Sequence, residues 1–404
     1  MFQISITDDL AALLADKVTW DRLAGGVPFR QAAWLGAWWD TFGEDLQANV
    51  VVAHDEKGEL QGILPLYRTP DSGTGTLSMI GDGEACSDHV SVLASGPHCE
   101  AIAYQMGLEL ASRATCPQFG WSVLDIDGVV EGDAVMSAFA SGLKDGGSAL
   151  HASSRMSIWY KPADASWDEH LKHYGKTQRR KMRRSIELLQ QNDEYEKRVA
   201  SNPAEVEVFL NHVIRMHQRR WNEAGQPGSF ANLKFQTFIH EAAQKFFADG
   251  QLYVANLRYQ DTVIGGELNI VGTNRIMYSY SAGFDTDYEA QEPGRLLCID
   301  ALHELYRRDL VGLDYLRGDE KYKERFATEQ RRLFRVRAIA PTMFPRLKHA
   351  VWSTGFEVKQ WMRRRTGRVE IAVQDPTSLG QAPTLGQAPP LEQAPPLEQA
   401  KTPG

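Results

Sequence analysis

Three segments of the chain concentrate residue types that can do chemistry. "LDYLRGDEKYKERFATEQRR" (313–332) reads as an aliphatic strand ending in Arg317, Gly318, Asp319 and Glu320, then Tyr322 and Lys323. Two carboxylates, a phenol and two cations at a strand end are possible acid, base and binding groups. The same residues could equally form a charged surface loop held by its own ion pairs. "SAGFDTDYEAQEPGRLLCIDALHELY" (281–306) has a strand ending at Phe284, a polar loop, and Pro293-Gly294 opening a helix. Proline suits a first helical turn, and glycine lets a ligand approach the backbone. Free N–H groups from Gly294 through Arg295 and Leu296 to Leu297 would form an anion site suited to a pyrophosphate. A plain loop-to-helix junction carries the same Pro-Gly mark. "RMHQRRWNEAGQPGSF" (215–230) sets His217, Arg219, Arg220 and Trp221 ahead of a Gly/Pro loop. His217 reads as a base or as a helix-surface histidine, and Trp221 with Phe230 as a pocket wall or as core.

A fourth segment, "HYGKTQRRKMRRSIELLQQ" (173–191), contains Gly-Lys-Thr followed by a basic cluster. A phosphate-binding loop of the G-x-x-x-x-G-K-[ST] type needs a glycine five residues before Gly175, and His170 stands there. The helical reading fits better. Met182, Ile186 and Leu189 recur at helical spacing, Arg179, Arg180, Arg183 and Arg184 cover other faces, and Thr177 is placed to cap the start. Arginines on a helix suit phosphates and carboxylates, so Arg179 and Arg183 are candidate contacts to an anionic ligand; a solvated basic face is the plainer reading.

The elements that must position these groups follow a repeated pattern. "LQANVVVAHDEKGELQGILPLYR" (46–68) and "GQLYVANLRYQDTVIGGELNIVG" (250–272) each read as two strands around a polar turn. Each is followed by a strand ("TLSMIGD"; "RIMYSYSAGF"), a helix (101–113; 295–309) and a further strand (121–128; 312–319). The order points to a duplicated α/β module, with helical stretches at 167–192, 203–221 and 231–248 between the copies. The expected division is 1–150, 151–373, and a tail from 374 to 404 whose Pro/Gln/Ala repeat has too little apolar mass to fold.

Net charge is −8 over 404 residues, which argues against a general nucleic-acid binder. Cys86, Cys99, Cys116 and Cys298 are dispersed, which suits a reduced compartment and offers neither a disulfide framework nor a zinc site. No apolar run approaches a membrane span and the N-terminus lacks signal-peptide features, so a cytoplasmic location is expected.

Taken in order, "PFRQAAWLGAWWDTFG", "LQGILPLY", "SDHVSVL", "KTQRRKMRRS", "HQRRWNEAGQPGSF", "GFDTDYEAQEPGRLL" and "LDYLRGDEKYKERF" span roughly residues 25–340. This set resembles the acetyltransferase family typified by CelD, associated with bacterial cellulose biosynthesis, in the GNAT-like acyltransferase superfamily. The resemblance implies an α/β (α+β) architecture of two tandem GNAT-like folds, mixed sheets flanked by helices, with the second fold catalytic. It implies acetyl-CoA or another acyl-CoA as cosubstrate, a small-molecule or saccharide-linked acceptor and no metal. "EPGRLL" takes the place of the pyrophosphate loop Q/R-x-x-G-x-G/A, Gly294 matching its first glycine with no second glycine following. Pro293, Gly294, Arg295, Leu296 and Leu297 would thus hold the cofactor. Glu267, Asp319 and Glu320 are candidate bases and Tyr322 the candidate acid, with backbone N–H groups before Gly283 polarising the thioester. Arg179, Arg183, His217, Trp221, Arg317 and Lys323 are candidate substrate contacts. The first half, with "GDGEACSDH" (81–89) in the equivalent loop, reads as structural or acceptor-lining. Two alternatives stand beside this: a Fem-like transferase, the one case with a tRNA partner, and a non-catalytic polysaccharide-assembly factor.

Overall fold

The computed structural model describes residues 2–70, 75–116, 119–318, 320–342, 372–374 and 376–379. Asp319 and nearly all of the C-terminal repeat lie outside these residues. Leu379, the repeat's first leucine, is buried, and its carbonyl accepts from Gly132 N.

The doubled pattern read from the sequence is present as structure. In the first half, Thr76–Met79 runs parallel to Val123–Val130 over three residue pairs, Thr76 to Ser78 against Val123 to Asp125. In the second, Ile276–Phe284 runs parallel to Gly312–Arg317 over three pairs, Ile276 to Tyr278 against Gly312 to Asp314. A helix connects each pair, Cys99–Ser112 and Pro293–Arg307, as a parallel crossover requires.

Both halves share one long sheet. Its order is Tyr195–Val199, Leu252–Tyr259, Thr262–Val271, Ile276–Phe284, Gly312–Arg317, Ala149–Pro162, Glu329–Ile339, Val123–Val130, Thr76–Met79, Leu66–Arg68 and Gln47–Ala48. The two central strands are exchanged between the halves. Ala149–Pro162 leaves the first half to pair with Gly312–Arg317, and Glu329–Ile339 leaves the second to pair with Val123–Val130. The exchanged strands pair with each other from Glu329–Tyr160 to Ile339–Ala149. A smaller four-stranded sheet (Gln3–Thr7, Val50–His54, Leu60–Leu64, Leu93–Ala94) completes the first half.

Neighbouring glycines show how helices clothe the sheet. Adjacent residues of a strand point to opposite faces. A Cβ on Gly265 would meet Leu297 and Pro293, whereas one on Gly266 would meet Val213. Pro293–Arg307 therefore covers one face, backed by Lys176–Gln191 through a bond from Arg295 to Ser185 Oγ (2.8 Å). Pro203–Glu223 covers the other; Pro203 occupies its first turn and the Asn202 side chain accepts from Glu205 N. Helix Ala32–Phe42 of the first half is apolar nearly all round, the pattern of a helix buried on every side. It packs on Leu233–Ala248 of the second half, with Trp34 edge-on to Phe238 at 4.7 Å. The basic segment forms Trp167–Lys172 and Lys176–Gln191, the second capped at Gly175 with no side-chain bond. Thr177 thus lies inside the first turn and does not cap it, because Gly175 already adopts the extended capping conformation.

Candidate functional site

A forked pair of strands forms the site. Beyond Tyr278 and Asp314 the strands Ile276–Phe284 and Gly312–Arg317 diverge, so the outer edge of the first is left unpaired in mid-sheet. Ser279, Tyr280 and Ser281 are partly exposed and Ala282 is exposed, although the strand lies in the interior of the sheet order. A bulge adds to this: Leu268 pairs with Ser281 and Asn269 with Ser279, leaving Tyr280 as the extra residue. Unpaired backbone N–H groups on such an edge can receive an oxyanion or a carbonyl.

The other arm is held in an unusual conformation. Leu316 has φ +56° and Gly318 φ +130°. Asp314 Oδ1 accepts from Leu316 N at 2.8 Å, and its Oδ2 lies 2.8 Å from His89 Nε2. Left-handed backbone at a leucine costs energy and persists only where its surroundings hold it.

The opposing wall comes from the first half, from the loop between Met79 and Leu93. Tyr280 OH donates to Ala85 O (3.0 Å). Asp88, 1% exposed, takes Arg317 Nε on Oδ1 (2.6 Å) and Arg317 N on Oδ2 (2.8 Å). Arg317 also donates to Ser87 O and reaches Asp127 at 3.2 Å. Cys86 and His89 both adopt positive φ, +46° and +60°. Burial raises the Cys86 thiol above its ordinary pKa, and Asp88 and Asp127 add to the effect while Arg317 opposes it. The thiol is therefore kept protonated.

This same loop fills the corresponding fork of the first half. Val90 N donates to Gly128 O (2.9 Å), and a Cβ on Gly128 would lie 2.2 Å from Ser87 O. Ser87 Oγ bonds Gly81 O, and Trp34 Nε1 donates to Ser87 Oγ. One fork is plugged and the other is open.

The expected site residues fall into distinct environments. Tyr322, on Lys321–Phe326, is half-exposed at the fork, its ring edge-on to Tyr315 at 6.2 Å. Burial, then Cys298 and Glu320, raise its phenol pKa while Arg220 of Pro203–Glu223 opposes them, so the proton stays on. Glu320 is exposed and pairs with Lys323 Nζ (3.0 Å). Lys323 is buried, and its ammonium donates to Arg317 O (2.7 Å). Arg317 and Lys323 thus spend their charges on the protein itself. Glu267 lies beneath Pro293–Arg307, 3% exposed, paired with Lys197 (3.2 Å) and accepting from Asn269 Nδ2 (3.0 Å). Lys197 also pairs with Asp300, so this carboxylate belongs to a buried ion network and not to the open edge.

At the start of Pro293–Arg307, Glu292 has φ +50° and provides no side-chain cap. Arg295 N and Leu296 N bond the Glu292 carbonyl, so Gly294 carries the first N–H of the helix, proline having none. A Cβ on Gly294 would press on the Phe284 ring at 3.2 Å. Pro293, Leu296 and Leu297 point into the core. Nearby, Trp221 Nε1 donates to His217 Nε2 (2.9 Å), which assigns the ring proton to Nδ1. Burial, then Arg220, hold the His217 pKa down at about 4, so the ring is neutral and its acceptor is occupied. Arg219 holds Asp285 and Asp287, each at 2.8 Å, at the end of the forked strand. On Lys176–Gln191, Arg183 pairs with Asp168 (3.1 Å). Among the described residues Lys176, Arg179, Arg180, Lys181 and Arg184 have no carboxylate within 4 Å.

Asp88, His89 and Asp314 were not singled out in the sequence. His89 and Asp314 lie 225 residues apart, and no local signal links them. The one hint is the loop "GDGEACSDH" itself, which departs from the Q/R-x-x-G-x-G/A pattern expected at that place.

Residues 176–324 match the family model described as an acetyltransferase (GNAT) domain. No curated protein matches the chain. Among solved structures, FemX is similar at 10% identity, over 83% of this chain and 98% of that one, with a TM-score of 0.57. A conserved protein of unknown function from Bacteroides thetaiotaomicron VPI-5482 is similar at 12% identity, over 83% and 100%, at 0.47. The C-terminal domain (DUF2156) of a putative lysylphosphatidylglycerol synthetase from Agrobacterium fabrum is similar at 12% identity, over 80% and 92%, at 0.46. The fold is mixed α/β and contains a GNAT-like domain over residues 176–324. None of the described helices is long and apolar enough to cross a membrane.

Proposed function

We propose that the chain is an acyltransferase that passes an acetyl or other acyl group from CoA to an amine or hydroxyl acceptor. The observation that carries this reading is the open fork: an unpaired, bulged strand edge beside an uncapped helix start, within a matched GNAT domain. The thioester carbonyl would lie against the Ser279–Ala282 edge, and the pyrophosphate near the Gly294 N–H. Acceptor attack on the carbonyl carbon forms the new bond and expels the CoA thiolate. Tyr322, with its proton held on, is the acid that protonates that thiolate; Glu320, solvent-facing beside it, is the candidate base, with Asp319 next to it in sequence. Arg179 and Arg183 would meet an anionic part of either substrate. A role in exopolysaccharide or cellulose biosynthesis is carried by the sequence resemblance alone, and so is a cytoplasmic setting.

A Fem-like, aminoacyl-tRNA-dependent transfer is the second reading. It is favoured by the fold likeness to FemX along both halves and by the unpaired cations of Lys176–Gln191. Calorimetry with acetyl-CoA, longer acyl-CoAs and aminoacyl-tRNA separates the two. The CoA reading expects saturable acyl-CoA binding, weakened by roughly tenfold in Gly294→Val, whose side chain would block the backbone. Binding of aminoacyl-tRNA alone transfers the fork to the second reading, and binding of neither leaves the assembly-factor alternative.

A further inference from the structure

We infer that Arg317 is a positioning residue: its clamp onto Asp88 sets how far Gly312–Arg317 stands off Ile276–Phe284, and so sets the width of the cleft. The strands diverge after Asp314, just ahead of the left-handed Leu316 and of Arg317, the clamp's anchor. Four bonds from Arg317 run into the first half: N and Nε to Asp88, and the terminal nitrogens to Ser87 O and Asp127. The receiving loop cannot yield. Ser87 is fixed by Trp34 and Gly81, and its carbonyl sits where Gly128 leaves no room for a side chain. On the far side Lys323 and Trp159 hold the carbonyls of Arg317 and Gly318 (2.7 and 3.0 Å). The first half therefore acts as a wedge. Without the clamp, Leu316 relaxes toward extended backbone, and the two strands can pair beyond Tyr278.

Only the kinetic arm of the test rests on the acyl-transfer reading. Hydrogen–deuterium exchange on the free full-length protein reads the Ser279–Phe284 amides in wild type, Asp88→Asn, Arg317→Lys and a control, Arg332→Lys. Arg332 spans the halves with the same geometry, N and Nε on Glu131 (3.1 and 3.0 Å), and is separated from the forked strands by Ala149–Pro162, so it makes no bond to either of them. Lysine keeps the charge but not the two-point grip. Exchange at Ser279–Phe284 is expected to slow by about tenfold in both clamp variants and to stay at the wild-type rate in the control. Unchanged or faster exchange in the clamp variants overturns the inference, as does equal slowing in the control. Should Asp88→Asn fail to fold, Arg317→Lys decides. In the kinetic arm, kcat with acetyl-CoA falls roughly 100-fold in the clamp variants, the size of effect that misplacing reacting groups by about an ångström produces. A clamp variant with slowed exchange and full kcat overturns the link to cleft width. A wild type without turnover sinks the acyl-CoA reading and leaves the exchange result standing.

Discussion

Gly283→Ala places a methyl group where the strand meets the helix Pro203–Glu223. The new Cβ would lie 2.6 Å from His217 N, 2.8 Å from Val213 O and 3.0 Å from Met216 Cβ. Two of these are backbone atoms and cannot rotate away. Contacts between such atoms settle at about 3.5–4 Å, so the helix must retreat by nearly an ångström or the strand must bend. Overpacking of this kind costs about 1–3 kcal/mol, and a backbone neighbour puts Gly283 toward the upper end. The retreat also pulls on Arg219, which holds Asp285 and Asp287, and on Arg220, stacked over Phe284 at 5.5 Å. Urea unfolding should therefore show a midpoint lowered by the equivalent of about 2 kcal/mol with unchanged slope, together with faster exchange at residues 284–287. Gly175→Ala is the matched control, because a Cβ there meets nothing within 4 Å. It should cost about 0.5–1 kcal/mol, because alanine is a poorer helix cap than glycine. A Gly283→Ala loss below about 0.5 kcal/mol would refute the tight seating of the helix on the forked strand.

Two further outcomes are expected. His170 is fully buried against Trp167, and burial, then Lys161, hold its pKa at about 4. The unfolded chain takes up that proton near pH 6.5 and the folded one only near 4, so stability falls as pH drops through this window, by up to ~3 kcal/mol. His217 adds a loss of the same sign, while Asp82, raised to about 6 chiefly by burial, gives some stability back. Urea midpoints equal at pH 7 and 4.5, or unaffected by His170→Gln, would contradict this. Tyr322→Phe should lower kcat for thiol release by about 10²–10⁴-fold with acyl-CoA affinity nearly unchanged; a loss below threefold would remove Tyr322 as the acid.

Local periodicity made the elements and their duplication legible in the sequence. Strand alternation, the Pro-Gly helix start and the apolar stripe of Met182 and Ile186 each depend on neighbours a few residues away. The strand exchange was not legible, because pairing Leu333 with Val130 leaves no trace in either segment alone. The site was only partly legible. Glu267 was a candidate base by its position on a strand, but its partner Lys197 sits on a different strand. Arg317 and Lys323 stood between ligand contacts and a loop held by its own ion pairs, a choice a single sequence does not make; the structure pairs them with Asp88 and Glu320. Tyr322, offered as the acid by its position alone, sits on Lys321–Phe326 with its ring edge-on to Tyr315.

The exchanged strands also bear on how the protein is made. Val123–Val130 emerges from the ribosome some two hundred residues before its partner Glu329–Ile339 exists. Until synthesis passes Ile339, the first half presents a bare strand edge of the kind that templates aggregation. Nascent chains halted before that point should therefore engage chaperones more strongly than chains released after it. Expressing either half alone should yield insoluble material, and mixing the two during refolding should recover it.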